Sequence, residues 1–151
     1  MGDIKLFCGE YHYSLDEKGR IVIPTVFRQV LGDTFYITRG FEKCLNIYTI
    51  VDWNNFSEII SSFSPTDDYI RRLCRFWFSG SVQVTTDKLG RILIPSFLIE
   101  YAQLNRDVVI VGAGRHIEIW AEEKWKEINK EEDLINNMNE INEKIKDLWK
   151  R

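Results

Sequence analysis

The sequence predicts an α+β protein, mainly β, in which one small unit is used twice. Three observations carry that prediction. The stretch LDEKGRIVIPTVFR, Leu15–Arg28, returns 71 residues later as TDKLGRILIPSFLI, Thr86–Ile99. Short runs alternate apolar and polar residues with the period of two that marks a half-buried strand. Glycine and proline fall at matching places in both copies, where elements should end.

The match is longer than these motifs. Over Phe7–Arg28 against Phe78–Ile99, eight of 22 positions are identical. With one inserted residue it continues through TFYITRGFEKCLNIYT and DVVIVGAGRHIEIWA, and sets Ile47-Tyr48 opposite Ile119-Trp120. Similarity of that extent implies internal duplication.

Each copy begins with a strand, Glu10–Leu15 or Ser81–Thr86. A turn follows, Asp16–Gly19 or Asp87–Gly90, in which Asp can accept from backbone N–H groups and Gly takes a positive φ without a clash. The next strand, Arg20–Ile23 or Arg91–Ile94, is ended by Pro24 or Pro95, which also opens a short helix. Those helices have stops at Gly32 and Asn105. Two strands close each unit: Phe35–Thr38 with Leu45–Tyr48, and Val108–Val111 with Ile117–Trp120, with Gly40, Gly112 and Gly114 in the turns.

Between the copies, two helices separated at Ser64-Pro65 are expected, with Asp52 and Thr66 as N-caps and Phe56, Ile59, Ile60 and Phe63 as one apolar stripe. After Trp120 the chain reads as helical through Lys150, with a seam of Leu134, Met138, Ile141, Ile145 and Leu148. The segments are therefore 5–48 and 76–120 for the repeats, 49–75 for a helical connector and 121–151 for a terminal helix.

Composition narrows the function classes. A chain of 151 residues, 44% apolar and 13% aromatic, folds around one core or two small interlocked units. Its apolar runs are too short to span a bilayer, and MGDIKLFCGEYHYS lacks the basic and apolar regions of a secretory leader. Cys8, Cys44 and Cys74 are odd in number and widely spaced, which suits reduced thiols and a cytoplasmic location. His12 and His116 make no ligand spacing with them, so no metal or cofactor is expected. Net charge is −3, but each repeat is nearly neutral and the acidity sits in the connector and tail. A neutral domain binds nucleic acid only if its basic groups share a face.

Strand, Asp-x-x-Gly-Arg, Ile-x-Ile-Pro, short helix and hairpin together resemble the AbrB/SpoVT swapped-hairpin family of bacterial DNA-binding domains. Two tandem copies joined by helices, with Asp-x-x-x-Arg in both and VGAGRHIEIW in the second, resemble the MraZ family of transcriptional regulators. The resemblance covers nearly the whole chain. It implies that the repeats interleave into one pseudo-twofold β-barrel, and that chains assemble into rings. It also implies binding to repeated short boxes in double-stranded DNA upstream of the gene itself, in the division and cell-wall gene cluster, with a nucleoid location. By position, the DNA-contacting residues would be Arg20, Arg91, Lys18, Lys88 and Arg28, with Asp16, Asp87, Gly19 and Gly90 shaping the loops. Ile99 stands opposite Arg28, so that part of a basic face is not duplicated.

Spacing alone leaves two readings of the Asp–Arg pairs. One is a salt bridge that pins each turn; exposed pairs of this kind stabilise little. The other is an aspartate that orients an arginine toward phosphate or the major-groove edge of guanine. A third idea, that Asp16 and Asp87 form a carboxylate dyad, conflicts with their neighbours. Neither is followed by Thr/Ser-Gly, and an arginine beside each opposes a shared proton. No small-molecule substrate or catalytic activity is therefore expected. The rival to a DNA-binding regulator is a self-assembling scaffold with no DNA ligand, in which Arg20 and Arg91 would be buried at subunit contacts. Arg71, Arg72 and Arg75 read as an ion-pair face on the connector beside Asp67 and Asp68.

Overall fold

A computed structural model of the chain describes residues 5–150. Most of the N-terminal motif read for a leader is described, but residues 1–4 and Arg151 lie outside that range. The chain divides into two compact units, one through Ala121 and one from Glu122.

In the first unit the initial strand of each copy pairs with the other copy. β1 (Glu10–Ser14) lies antiparallel to β7 (Asp107–Gly112), and β5 (Val82–Thr85) lies antiparallel to β3 (Thr34–Arg39). β4 (Leu45–Tyr48) and β8 (Ile117–Ala121) meet in the middle, so the order is β1-β7-β8-β4-β3-β5. Exchanging the copies reverses that order and reproduces it, the mark of a twofold relation. The axis passes between Asn46 and Glu118, equivalent residues that face each other. It also crosses a separate ribbon of β2 (Arg20–Val22) and β6 (Arg91–Leu93), where the equivalent Ile21 and Ile92 face each other. The expected closed barrel is not formed among the described residues. β1 and β5 remain as edges of a six-stranded sheet, because β2 and β6 are only three residues long and pair with each other alone.

The core lies between sheet, ribbon and two short helices, α1 (Thr25–Leu31) and α4 (Ser96–Tyr101). Pro24 and Pro95 precede them, as their fixed φ suits a helix start. The equivalent residues Phe27 and Leu98 are the main inward contacts, both almost fully buried. α1 ends at Gly32, with φ 77°. α4 ends earlier than Asn105: Gln103 takes φ 54°, and Gln103 and Leu104 donate back to Glu100 and Ile99. That Schellman closure buries Leu104, which decides the stop in place of Asn105. Gly112 is the last residue of β7 and not in a turn; a Cβ there would meet the Cys8 backbone nitrogen at 2.4 Å.

The connector helices are α2 (Ile50–Ser61) and α3 (Asp68–Ser79). Their caps are Thr49, which accepts from Asp52 N–H, and Asp67, which accepts from Tyr69 and Ile70. Asp52 falls inside the first turn because α2 starts directly after β4, and the Thr66 hydroxyl is engaged by Ser64. The inward face of α2 is also shifted. Ile60 and Ser57 are buried and Trp53 stacks on Tyr36 at 3.9 Å, whereas Phe56, Ile59 and Phe63 stay exposed. Trp77 of α3 explains this: its Nε1–H donates to Ser57 Oγ at 2.9 Å, so a polar residue occupies the centre of the contact.

Among the described residues, the second unit is three helices, α5 (Glu122–Ile128), α6 (Glu131–Asn136) and α7 (Met138–Trp149), where one was expected. Asn137 interrupts the run, its side chain donating to the Asp133 carbonyl. Leu134, Met138, Ile145 and Leu148 of the expected seam are exposed. No helix of the described residues is long and apolar enough to cross a membrane.

Candidate nucleic-acid interface

The two Asp-x-x-Gly-Arg loops close at opposite ends of the β2–β6 ribbon. In the first, Asp16 Oδ1 accepts from Lys18 N–H at 2.9 Å and Arg20 N–H at 2.8 Å, and Oδ2 accepts from Arg20 Nε at 2.7 Å. In the second, Asp87 Oδ1 accepts from the N–H groups of Leu89 and Arg91, both at 2.9 Å, and Oδ2 accepts from Arg91 Nε at 2.8 Å. Gly19 and Gly90 have φ of 83° and 77°, the left-handed region a side chain disfavours, and each donates to its own loop's Asp carbonyl at 3.0 Å. Each loop is then tied to the other copy: Ile23 N–H donates to Gly90 O at 3.0 Å, and Ile94 N–H to Gly19 O at 2.8 Å.

These bonds set the electrostatics. The backbone N–H of Arg20 is the largest influence holding the Asp16 carboxyl below its ordinary range, with the guanidinium and Lys18 N–H adding and partial desolvation opposing. Asp87 is lowered in the same way, first by Arg91 N–H. Both carboxylates are thus fixed as anions inside their own loops, the reverse of a proton-sharing dyad. A folded-state pKa below the unfolded value stabilises the protein above the unfolded pKa, and that contribution is lost as pH falls through the folded value. We therefore expect stability to decline on acidification below about pH 4, and Asp16→Asn with Asp87→Asn to flatten that slope in thermal unfolding across a pH series.

Each arginine binds its aspartate through Nε, which leaves the hydrogen-bonding capacity of its two terminal nitrogens unspent on that carboxylate. Among the described residues no other carboxylate lies within ion-pair reach of either arginine. Ile21 and Ile92 are buried, so strand alternation turns Arg20 and Val22, and across from them Leu93 and Arg91, to the outer face. The arginine side chains are 33% and 26% exposed. Lys18 and Lys88 are exposed beside them.

Arg28 has a second task that its sequence position does not reveal. Its Nε donates to Ile23 O at 3.0 Å and its Nη2 to Thr25 Oγ1 at 2.9 Å. Its guanidinium lies across Gly90, where a Cβ would sit 2.5 Å from Cζ. Ile99, its counterpart, covers Gly19 in the same manner. An arginine and an isoleucine thus serve as equivalent lids, each over the other copy's loop. Gly90→Ala should displace the Arg28 lid as well as strain φ. A loss of about 1–2 kcal/mol in urea unfolding is expected. On the connector, Asp68 bridges both Arg71 and Arg72, whereas Asp67 caps α3 by accepting from the N–H groups of Tyr69 and Ile70.

A duplicated, interleaved β unit that presents two aspartate-braced arginines on one ribbon defines a pseudo-symmetric two-loop protein. The family described as "MraZ protein" matches the chain twice, over residues 6–76 and 77–147. The chain belongs to the MraZ family. It is 77% identical over 146 residues to the transcriptional regulator MraZ of Dictyoglomus turgidum, covering 97% of this chain and 100% of that protein. It is 75% identical to the protein of the same name from Dictyoglomus thermophilum, with the same coverage. Identity to that of Clostridium acetobutylicum is 43%, over 95% of this chain and 99% of the relative.

Proposed function

We propose that this protein is a sequence-specific DNA-binding transcriptional regulator, with no enzymatic activity, that reads DNA through the outer face of the β2–β6 ribbon. The observation that carries this reading is the pair of arginines whose Nε is tied to an aspartate, on the ribbon face opposite the buried Ile21 and Ile92. A two-stranded ribbon fits the major groove, and a planar guanidinium held at one edge can make a bidentate contact to guanine. Lys18, Lys88 and the Arg28 lid add positive charge for phosphate. The two loops and the Arg28 lid together carry five basic residues against Asp16, Glu17 and Asp87. A scaffold role would instead bury Arg20 and Arg91 at contacts between copies of the chain.

We read the interleaved pairing as the swapped-hairpin arrangement, with repeats at 5–48 and 76–120, a connector at 49–75 and a tail at 121–151. One protomer offers one weak loop pair. A ring-shaped homo-oligomer would place neighbouring pairs on adjacent boxes and raise avidity by roughly 10²–10⁴. The boxes would be spaced by about one helical turn upstream of the protein's own division and cell-wall genes, and the protein would act in the cytoplasm on the nucleoid. The test is titration of a labelled duplex from upstream of its own gene against a scrambled duplex over a salt series. Sequence-dependent, salt-sensitive binding supports the reading; equal affinity for both duplexes overturns it.

A further inference from the structure

The two loops have the same bracing and different tips. Lys18 and Leu89 occupy the same place, each with its N–H bonded to the loop aspartate at 2.9 Å. Lys18 is a cation, while Leu89 is 68% exposed. Leu93, two residues beyond Arg91, is 59% exposed and stands directly across the ribbon from Arg20. Val22 stands across from Arg91, so each arginine faces an apolar neighbour and not another charge. One exposed leucine is ordinary on any surface. Two of them bracketing the arginine of the candidate reader, on a face with more basic than acidic groups, call for an apolar feature on a polyanionic ligand. In the major groove that feature is the 5-methyl group of thymine.

We propose that Leu89 and Leu93 contact thymine methyl groups beside the base read by Arg91, which makes the second copy a reader of thymine while Lys18 of the first copy grips phosphate. The inference rests on the DNA-binding reading and deepens it: the two halves of one protomer recognise different chemistry. Bracing is shared because Asp, Gly and Arg are shared; specificity differs because the bracing holds the tip residue by its backbone N–H alone and leaves its side chain able to vary.

The experiment is fluorescence anisotropy of the full chain with the upstream duplex and with the same duplex carrying deoxyuridine for thymidine. That exchange removes only the methyl groups and keeps base pairing. Wild type should bind the thymidine duplex more tightly, by about fourfold for each methyl contacted, the equivalent of one buried carbon. Leu89→Ala and Leu93→Ala should each shrink that ratio. Leu89→Lys should abolish the Leu89 share of it and steepen the salt dependence by about one phosphate contact. Light scattering on the same samples reads assembly. If wild type distinguishes the upstream duplex from a scrambled one yet binds both base forms equally, the methyl contact is wrong and the DNA reading stands. If no duplex is bound, both fail together. If Leu89→Ala or Leu93→Ala reduces the assembly size, the leucines serve contact between copies, and the proposal is overturned.

Discussion

On the proposed DNA-reading role, Arg20→Ala and Arg91→Ala should each lower affinity for the upstream duplex by about 1–3 kcal/mol, the worth of one bidentate base contact, and the double variant should remove discrimination against scrambled DNA. The effect is expected to be specific to binding. Without its arginine, Asp16 still accepts from the N–H groups of Lys18 and residue 20, so the turn keeps its shape. The cross-copy bonds from Ile23 and Ile94 use backbone atoms and are untouched. In a multivalent assembly the loss repeats at every protomer, so the observed decline exceeds the single-site value. Arg→Lys at either site separates charge from geometry. Lysine keeps the phosphate attraction and the salt dependence but lacks the fork, so it should retain nonspecific binding and lose sequence preference. Anisotropy at two salt concentrations, with circular dichroism to monitor the fold, decides this. Variants that unfold would assign the arginines to the fold instead.

Phe27→Ala produces the largest stability change, about 3–5 kcal/mol, a substantial share of the 5–15 kcal/mol typical of a whole domain. Phe27 is 2% exposed and meets Phe7 edge-on at 5.5 Å and Tyr11 at 5.3 Å. Truncation therefore removes transfer free energy and two aromatic contacts, and leaves a cavity walled by the N-terminal segment and β1. Leu98, its equivalent, is fully buried and smaller, so Leu98→Ala should fall within about 2–5 kcal/mol. Urea unfolding monitored by fluorescence checks both; the midpoint should move while the slope stays constant. A shift at Phe27 no greater than that of an exposed control such as Val26→Ala would contradict this packing argument.

Much of the architecture was legible in the chain. Duplication, the order of elements in each copy, the turn glycines and the helix-opening prolines follow from local rules, because a turn of this shape needs Asp and Gly at set positions whatever surrounds it. The loop arginines were legible for the same reason. The N-caps were displaced because caps depend on where the preceding strand ends and on which hydroxyl is already engaged, as with Thr49 and Thr66. The inward face of α2 was misplaced because Ser57 is buried through a bond to Trp77, a residue 20 positions away.

By itself the sequence determined the repeated unit, its loops, the family and the residue types available to a ligand. Only the tertiary structure decided that β1 and β5 cross to the opposite copy, that the sheet stops short of a barrel, and that Arg28 and Ile99 cover each other's loops. It also decided that Leu89 and Leu93 stand exposed beside the arginines. The physical reason is range. Turn and helix-start preferences act over about four residues and are written into neighbours, whereas strand partners and lids are chosen by burial among residues some seventy apart.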